Sequence, residues 1–284
     1  MDIGLGLPST IPGVEPATVL RWAIDAEARG FASIGVVDRL VYTNLDPMTM
    51  LAAAAVVTAG VRLVTGVLVT PIRSNFPAFA KQTATIDRLS GGRLVLGLGV
   101  GNREDDFTIA GLDFHRRGRS FDAQLEEITS IWRGDRPELG PEPSRAGGPQ
   151  LLFGGTSEHA FSRMTRYGAG WFASTSTGDG FAAGRDVAVA AWEAAGRPGR
   201  PRLVAHSYAG IGEGALDSAR SYLGSYYAHR IADMDNILGN ALLSEDRIRE
   251  RIELLREAGC DEFILTPVDA DPDQVQLLAD ASGL

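Results

Sequence analysis

Cysteine is almost absent from this chain of 284 residues, which contains only Cys260. A single cysteine excludes a disulfide framework within the chain and favours a reducing compartment. Cys260 lies between a helical and a strand-like segment, in the sequence EAGCDEFIL. A small, buried, apolar side chain is the favoured interpretation there, and a nucleophile is the alternative.

Positive charge and long apolar runs are also scarce. The net charge is −9, with 27 lysines and arginines against 36 aspartates and glutamates, and no dense basic run occurs. Nucleic acid is therefore not expected as a partner. No apolar stretch approaches the ~20 residues that cross a bilayer, and the start DIGLGLP lacks a basic-then-apolar leader. These absences predict a cytoplasmic protein without a membrane partner.

The sequence motifs of metal sites and nucleophilic hydrolases are missing as well. The four histidines, at positions 115, 159, 206 and 229, show neither HxH nor HExxH spacing, and Cys260 has no cysteine partner. No GxSxG nucleophile elbow occurs. We therefore expect neither a metal site nor a serine hydrolase.

What the sequence does contain is a regular alternation of strand and helix patterns. It is clearest in 61–101, where a β-branched and leucine run at 63–69 precedes helical apolar spacing over 76–89 and a second apolar run at 93–98. The same reasoning predicts strands at 3–7, 33–37, 63–69, 93–98, 151–154, 170–172, 202–210 and 262–266. It predicts helices at 16–29, 46–58, 76–89, 120–132, 181–195, 215–227, 244–258 and 272–281.

Eight strands alternating with helices predict an α/β fold, a (β/α)8 TIM barrel. We expect one domain over residues 1–284, with a long loop after strand four at 99–119. A doubly wound open sheet is the alternative, but it requires a GxGxxG turn after strand one, where this chain has GLPSTIPG. The carboxyl ends of all barrel strands open onto one face, which is where such folds bind ligands.

Five segments of the chain resemble the luciferase-like monooxygenase family of flavin- and deazaflavin-dependent barrels. The most specific is KQTATIDRLSGGRLVLGLGVG at 81–101. The others are AEARGFASIGVVDRL at 26–40, FDAQLEEITSIWRG at 121–134, FGGTSEHAFSRMTRYGAGWF at 153–172 and SEDRIRERIELLREAGCDEFILTP at 244–267. The resemblance implies a (β/α)8 barrel that holds reduced coenzyme F420 or FMN at the carboxyl ends of its strands.

The resemblance places cofactor contacts at the ends of strands three and four. It implies a non-proline cis peptide at the Val67–Leu68 bond, pressed against the cofactor ring. The residues alone favour an ordinary buried strand, because a non-proline cis bond is rare and costs about 3–4 kcal/mol. The residues implied to contact the cofactor here are Val67, Leu68, Thr70, Gly99, Val100 and Gly101.

The sequence Gly154-Gly155-Thr156-Ser157 precedes a helix after strand five. Glycines allow close approach of the backbone, and the exposed N–H groups at a helix start favour a phosphate. Thr156 or Ser157 as an ordinary N-cap is the alternative. With the family resemblance, Gly154, Gly155 and Thr156 are predicted to contact the cofactor phosphate.

Two positions depart from the family pattern in residues that handle protons. The family usually carries Asp-His where this chain has Asp38-Arg39, and that histidine is the proposed base of its alcohol-oxidising members. Asn102 stands where sugar-phosphate dehydrogenases of the family have an acidic Glu. Guanidinium cannot accept a proton and an amide cannot give one, so the departures favour reduction or oxygenation.

Other roles remain open for these residues. Arg39 is alternatively a surface ion-pair former with Asp46. Asp38 stays a candidate for both catalysis and cofactor contact, and Asn102 for cofactor contact.

The loop at 102–119 is long enough to be a lid or a substrate wall. Its Phe107, Phe114 and His115 are candidates to line the pocket. His115 is the candidate acid or base, and an exposed loop histidine is the alternative. His206 on strand seven either points into the barrel mouth or packs.

Beyond strand seven, Tyr226, Tyr227, His229 and Met234 form an aromatic and polar cluster. It covers substrate, makes a dimer interface or packs on the barrel. The sequence favours none of these three roles over the others.

The combined expectation is an oxidoreductase that transfers hydride from reduced coenzyme F420 to a small organic substrate. The alternatives are an FMN-dependent monooxygenase that uses reduced flavin and oxygen, and a flavin-binding barrel without activity. A homodimer is expected.

Overall fold

Eight parallel strands close into a barrel in chain order, and β8 pairs with β1. The structure is a computed structural model that describes residues 1–173 and 177–284. The predicted (β/α)8 architecture is confirmed. The strands are β1 (Asp2–Gly6), β2 (Ser33–Val36), β3 (Arg62–Val69), β4 (Leu94–Gly99), β5 (Gln150–Gly154), β6 (Gly170–Phe172), β7 (Arg202–Ala209) and β8 (Glu262–Pro267).

Helices connect the strands. Within the described ranges, none is long and apolar enough to cross a membrane. The helices are α1 (Pro16–Ala28), α2 (Pro47–Val57), α3 (Phe76–Leu89), α4 (Glu104–Ile109), α5 (Arg117–Trp132), α6 (Glu158–Tyr167), α7 (Gly178–Ala194), α8 (Ala215–Tyr226), α9 (Met234–Asn240), α10 (Glu245–Glu257) and α11 (Asp273–Ser282). Short 3-10 turns lie at Thr70–Ile72, Phe114–Arg116, Pro137–Leu139 and Ala228–Asp233.

Most helix ends follow local sequence signals. Proline occupies the first turn of α1, α2 and α3, where its missing N–H leaves no helical hydrogen bond unmade. Asp46 and Asn75 cap α2 and α3 by accepting hydrogen bonds from Thr49 N and Ala78 N. These signals explain why the predicted boundaries of these three helices agree with the structure to within one residue.

The structure differs from the prediction in two connections. The loop after β4 contains α4 and the 3-10 turn at Phe114–Arg116, and α9 follows α8. Both helices are of six or seven residues, too short to establish a 3.6-residue period in sequence. Helix α4 is instead held by tertiary contact, because its Phe107 is buried.

The core has two layers. Side chains from the six consecutive strands β3 to β8 fill the barrel itself and form one cluster, Val64, Val95, Leu152, Phe172, Val204 and Ile264. A larger apolar layer separates the strands from the helices. At the amino end of the barrel, buried Glu262 pairs with Arg62 at 3.1 Å and with Arg202. These buried ion pairs fill the amino end of the barrel, so the carboxyl end is the face available to ligands.

Cys260 is a buried free thiol that contacts the carbonyls of Leu203 and Glu262. The prediction of a small buried residue is confirmed. Burial also raises the pKa of its thiol to about 12. A thiol in this environment is not an available nucleophile.

Candidate active site

A cavity of about 360 Å³ opens at the carboxyl ends of the strands, as the barrel topology predicts. Strand ends from β2 to β7 contribute to its wall, together with α4 and the end of α8. Nine of the predicted site residues line it: Asp38, Val67, Leu68, Gly99, Val100, Gly101, Asn102, Gly154 and Gly155.

Three predicted site residues are not among those that line this cavity. Thr70 is fully buried and donates a hydrogen bond to the carbonyl of Leu68 at 3.2 Å. Thr156 is exposed just outside. His115 is exposed on its 3-10 turn, with its ring against Phe114, so the expectation that it lines the pocket is not met. Phe107 is buried beneath this turn and 5.4 Å from the ring of Phe114.

The non-proline cis peptide joins Gly66 and Val67, so the prediction of a cis bond at Val67–Leu68 was wrong by one residue. The pairing of β3 with β4 explains the position. It runs in register to Thr65, opposite Leu96, and resumes at Leu68, opposite Leu98. Gly66 and Val67 therefore face a single residue of β4 and form the bulge.

Glycines on the neighbouring strands make room for this bulge. A Cβ added to Gly99 would lie 2.8 Å from Val67 Cγ2, and one added to Gly154 would lie 3.2 Å from Val67 Cγ1. On the other side, a Cβ on Gly66 would lie 2.5 Å from the ring of Phe172. The Val67 side chain of the bulge thus lies against the glycines that end β4 and β5. The floor of the cavity is built of backbone and one aliphatic side chain, a surface suited to the face of a planar ring.

Asp38 supports the bulge from the neighbouring strand. Its Oδ2 accepts a hydrogen bond from Val69 N at 2.9 Å, and its Oδ1 accepts one from Arg73 Nη2 at 3.1 Å. Burial raises the pKa of this carboxyl, while Arg73 and the Val69 amide act in the opposite direction. With both oxygens engaged, Asp38 positions the end of β3.

Arg39 is not a surface residue and does not pair with Asp46. Its guanidinium is buried and donates to the carbonyl of Val41 at 2.9 Å, to the carbonyl of Tyr226 at 3.3 Å and to Asp105 Oδ2 at 2.5 Å. Asp46 lies 3.7 Å from Arg73 instead. The surface-pair interpretation was wrong because α4, which carries Asp105, was not foreseen.

Helix α4 also brings Asp106 and Arg103 to the cavity wall. Asp106 Oδ1 accepts hydrogen bonds from Leu40 N at 3.2 Å and Val41 N at 2.7 Å, while its Oδ2 is buried without a partner among the described residues. Arg103 donates to the carbonyl of Tyr226 at 2.8 Å. The loop after β4 is thereby clamped to the end of β2 and the end of α8.

A shallow cradle for an anion lies at the start of α6. Gly155 has φ +103°, a conformation that favours glycine, and its carbonyl accepts a hydrogen bond from Trp171 Nε1 at 2.8 Å. Ser157 caps the helix by accepting from Ala160 N at 3.2 Å. Gly154 and Gly155 line the cavity beside this helix start. The arrangement fits a phosphate whose chain leads back to the cavity floor.

The wall opposite the glycine strand ends is aromatic, and two of its residues were missed in the sequence. Tyr226, Tyr227 and His206 line the cavity, as do Phe172 and Tyr208. His206 and the pair Tyr226-Tyr227 were visible as candidates, whereas Phe172 and Tyr208 lie in strands and gave no distinguishing signal.

The predicted cluster beyond strand seven divides in the structure. His229 is exposed and stacks on Tyr227 with ring centroids 6.2 Å apart, and Met234 is half-buried at the start of α9. Tyr226 and Tyr227 are the members that reach the cavity.

His206 lies deep in the barrel mouth between two aromatic rings. Its ring centroid is 5.7 Å from Phe172 and 6.0 Å from Tyr208, and its Nδ1 is buried without a hydrogen-bond partner in the described chain. Burial lowers the pKa of the imidazole to about 4. The ring is therefore neutral at pH 7.

Comparison with known proteins agrees with this geometry. The luciferase-like monooxygenase family matches residues 1–275. The chain is 29% identical over 248 residues to an uncharacterized protein of Mycobacterium tuberculosis, a match that covers 72% of this chain and 83% of that protein.

Two solved structures illustrate the shared fold. An F420-dependent secondary alcohol dehydrogenase in complex with an F420-acetone adduct has a TM-score of 0.77 at 18% identity, covering 99% of this chain and 98% of that chain. The oxygenating constituent of 3,6-diketocamphane monooxygenase from Pseudomonas putida, in complex with FMN, has a TM-score of 0.76 at 18% identity, covering 98% and 96%. By the family match over almost its whole length, the chain belongs to the luciferase-like monooxygenase family.

Proposed function

We propose that this protein is an oxidoreductase that binds coenzyme F420 and uses it to reduce a small organic molecule. The environment of Arg39 carries the proposal. A buried guanidinium tied to Asp105 and to two carbonyls stands where the alcohol-oxidising members of the family are expected to have a base. The base proposed for alcohol oxidation is therefore missing at that point, and reduction with a proton donor elsewhere in the site is the reaction we propose.

The residues present fit a cofactor with a planar ring and a phosphate. The Gly66–Val67 bulge would support one face of the ring, and Gly99 and Gly154 leave the floor unobstructed. Gly154, Gly155 and Thr156 would hold the phosphate at the start of α6. Once bound in the reduced state, the deazaflavin supplies a hydride.

The chain's own contribution is to position and enclose the reacting molecules. Asp38 and Arg73 hold the end of β3, and the contacts of Arg39 and Arg103 with the Tyr226 carbonyl hold the aromatic wall. A small substrate would occupy the space between that wall and the cofactor, where the two would be held in reacting distance.

FMN-dependent oxygenation is the second candidate. It is favoured by the anion cradle, which suits a cofactor whose chain ends at its phosphate, as that of FMN does. The flavin-bound structure with the same fold supports this candidate as well.

The deciding experiment is a fluorescence titration of the purified protein with F420 and with FMN. We expect saturable binding of F420 that is tighter than binding of FMN. Binding of FMN alone would refute the first candidate in favour of the second, and binding of neither would favour a barrel without activity.

The phosphate cradle has its own test in the Gly155→Asp variant, with Gly155→Asn as a matched control. Both substitutions impose the same strain at φ +103°, and only the aspartate adds a negative charge. We expect the aspartate variant to bind the cofactor at least about tenfold more weakly than the asparagine variant. Equal affinities would refute the cradle.

We also propose that the protein acts as a homodimer. Ile24, Val56 and Leu89 are exposed large apolar side chains on α1, α2 and α3, which pack in succession around the barrel. Light scattering should give twice the chain mass of 30.2 kDa. A mass of one chain at micromolar concentration would contradict this.

A further inference from the structure

A hydride transfer of the proposed kind is complete only when the substrate also receives a proton. When a hydride adds to the carbon of a C=O or C=N bond, or to a conjugated C=C bond, the electron pair displaced from that bond leaves an anion. The reaction is complete only when an acid protonates that anion. Arg39 and Asn102, at the positions where relatives are expected to handle protons, are unsuited to the task.

Most of the other titratable groups at the cavity are already engaged. Both oxygens of Asp38 accept hydrogen bonds. Asp106 accepts two backbone hydrogen bonds through Oδ1, and its Oδ2 is buried. The hydroxyl of Tyr226 donates to the carbonyl of Asp38 at 3.3 Å. His206 is neutral at pH 7 and has no spare proton to release as an acid.

The hydroxyls of Tyr208 and Tyr227 form a pair with one proton left over. They lie 3.0 Å apart, and both residues line the cavity. Two hydroxyls carry two protons, and their mutual hydrogen bond uses one. Within residues 1–173 and 177–284 the second proton has no acceptor. Among the described residues of this wall, it is the one hydroxyl proton left for a ligand.

The surroundings of the pair suit an acid that solvent reprotonates after each turnover. Tyr208, on β7, is the inner member and is buried, whereas Tyr227, at the end of α8, is half-buried. Burial raises the pKa of both phenols, which keeps them protonated at neutral pH. The hydrogen bond with Tyr208 and the charge of Arg230 act in the opposite direction on the pKa of Tyr227. The guanidinium of Arg103 lies 5.2 Å from the Tyr227 ring centroid. Negative charge that arises in the pair is therefore best stabilised at Tyr227.

We infer that the Tyr208–Tyr227 pair is the proton donor to the reduced substrate, with Tyr208 in contact with it. The inference rests on the proposed function and defines a substrate class: a small molecule with a polarised double bond whose oxygen or nitrogen lies against Tyr208. With the reduced cofactor bound, the substrate carbon would receive one hydride, which brings both electrons of the reduction. Tyr208 gives its proton to the resulting anion, Tyr227 passes its proton to Tyr208, and solvent reprotonates Tyr227.

The test uses 4-nitrophenolate, a small oxyanion, as a probe of this donor in the absence of cofactor. Its absorbance near 400 nm is titrated with wild-type protein and with Tyr208→Phe, which keeps the ring and removes the hydroxyl. We expect affinity to fall at least about tenfold, because a hydrogen bond to a charged acceptor is lost. Equal affinity of the two proteins, or no saturable binding to the wild type, would overturn the inference.

Further variants separate a proton relay from a general packing effect. Tyr227→Phe should weaken binding only about threefold, since Tyr208 keeps its donor and loses the polarising neighbour. The double variant should bind no more weakly than Tyr208→Phe alone. The control is Tyr42→Phe, whose hydroxyl bonds Ser225 away from the cavity, and it should bind like the wild type. A loss as large in Tyr42→Phe as in Tyr208→Phe would refute a specific donor.

Failure of this inference is distinguishable from failure of the proposed function. Tyr208→Phe is expected to bind F420 with the affinity of the wild type. If the wild type binds F420 but 4-nitrophenolate does not discriminate Tyr208→Phe, the proton donor is refuted and the cofactor proposal stands. If the wild type binds 4-nitrophenolate as expected but neither cofactor, the proposed function fails.

Discussion

Arg39 offers the sharpest test of how this site is held together. Replacement by alanine removes its hydrogen bonds to the carbonyls of Val41 and Tyr226 and its ion pair with Asp105. The side chain is only 8% exposed, so water cannot fully replace these contacts. We expect Arg39→Ala to lower the free energy of unfolding substantially.

The magnitude follows from the geometry of each contact. The Val41 bond, at 2.9 Å and from a charged donor, contributes about 1.5 kcal/mol. The Tyr226 bond contributes about 0.5 kcal/mol, at the weak end of the usual range, because it is 3.3 Å long and its carbonyl keeps the bond from Arg103. The pair with Asp105, whose side chain is 47% exposed, adds about 0.5 kcal/mol. Together these give about 2.5 kcal/mol, or a fall in Tm of about 4 °C for a chain of this size.

The assay is urea and thermal unfolding of Arg39→Ala beside two comparison variants. Arg39→Lys keeps the charge but lacks the planar guanidinium, so it should recover less than half of the free energy of unfolding that Arg39→Ala loses. Arg136→Ala removes an exposed ion pair with Glu138 and should leave the unfolding curve unchanged. If Arg39→Ala lies within about 0.5 kcal/mol of the wild type, the buried clamp is refuted and Arg39 behaves as a surface residue.

Three further outcomes follow from the structure. Gly99→Ala places a Cβ 2.8 Å from Val67 Cγ2 and should weaken cofactor binding about tenfold in the fluorescence titration. Gly224→Ala is the control, because its added Cβ meets nothing within 4 Å, and it should bind the cofactor as the wild type does. Equal cofactor affinity in Gly99→Ala and Gly224→Ala would contradict a role for the bulge. The pKa of His206 is about 4 when folded against 6.5 when unfolded, so its contribution to stability is complete above pH 6.5 and is lost as the pH falls to 4. Urea unfolding should therefore show an acid-dependent loss about 3 kcal/mol larger in the wild type than in His206→Asn, and identical pH profiles would count against burial of this ring. Because burial raises the pKa of Cys260 to about 12, the native thiol should not react with a thiol reagent at pH 8 and should react once the chain unfolds; rapid labelling of the native protein would show an exposed thiol instead.

Individual elements show which parts of the fold were predictable. Helix α3 was predicted to the residue, because Asn75 caps it, proline stands in its first turn and its apolar spacing is strong. Helix α4 was not, since six residues with an acidic first turn carry no period, and only the burial of Phe107 against the barrel stabilises them. Elements with local capping and periodicity were visible in the sequence, and those held by tertiary contact were not.

The residues of the candidate site also fall into those that the sequence predicted and those that only tertiary contacts place. Gly99 and Gly154 end strands and Gly155 follows one. Because parallel strands of a barrel end on one face, their convergence was predictable from order alone. The position of the cis bond was missed by one residue because the bulge is set by how β3 pairs with β4. The sequence left His115 either in the pocket or exposed on its loop, and the structure shows it exposed. The direction of a side chain on a long connection depends on what the connection packs against, so the sequence could not decide between the two.

The sequence by itself determined the barrel, the face at which the cavity opens and the glycines at the cavity floor, because alternation and strand ends are properties of local order along the chain. Only the tertiary structure decided that Arg39 is a buried clamp, that Asp38 supports a bulge, and that Tyr208 and Tyr227 share a hydrogen bond at the cavity. Those contacts join residues from 19 to 66 positions apart. A periodic pattern reports which way a side chain faces its own sheet or helix, and it carries no information on which distant group will meet it there.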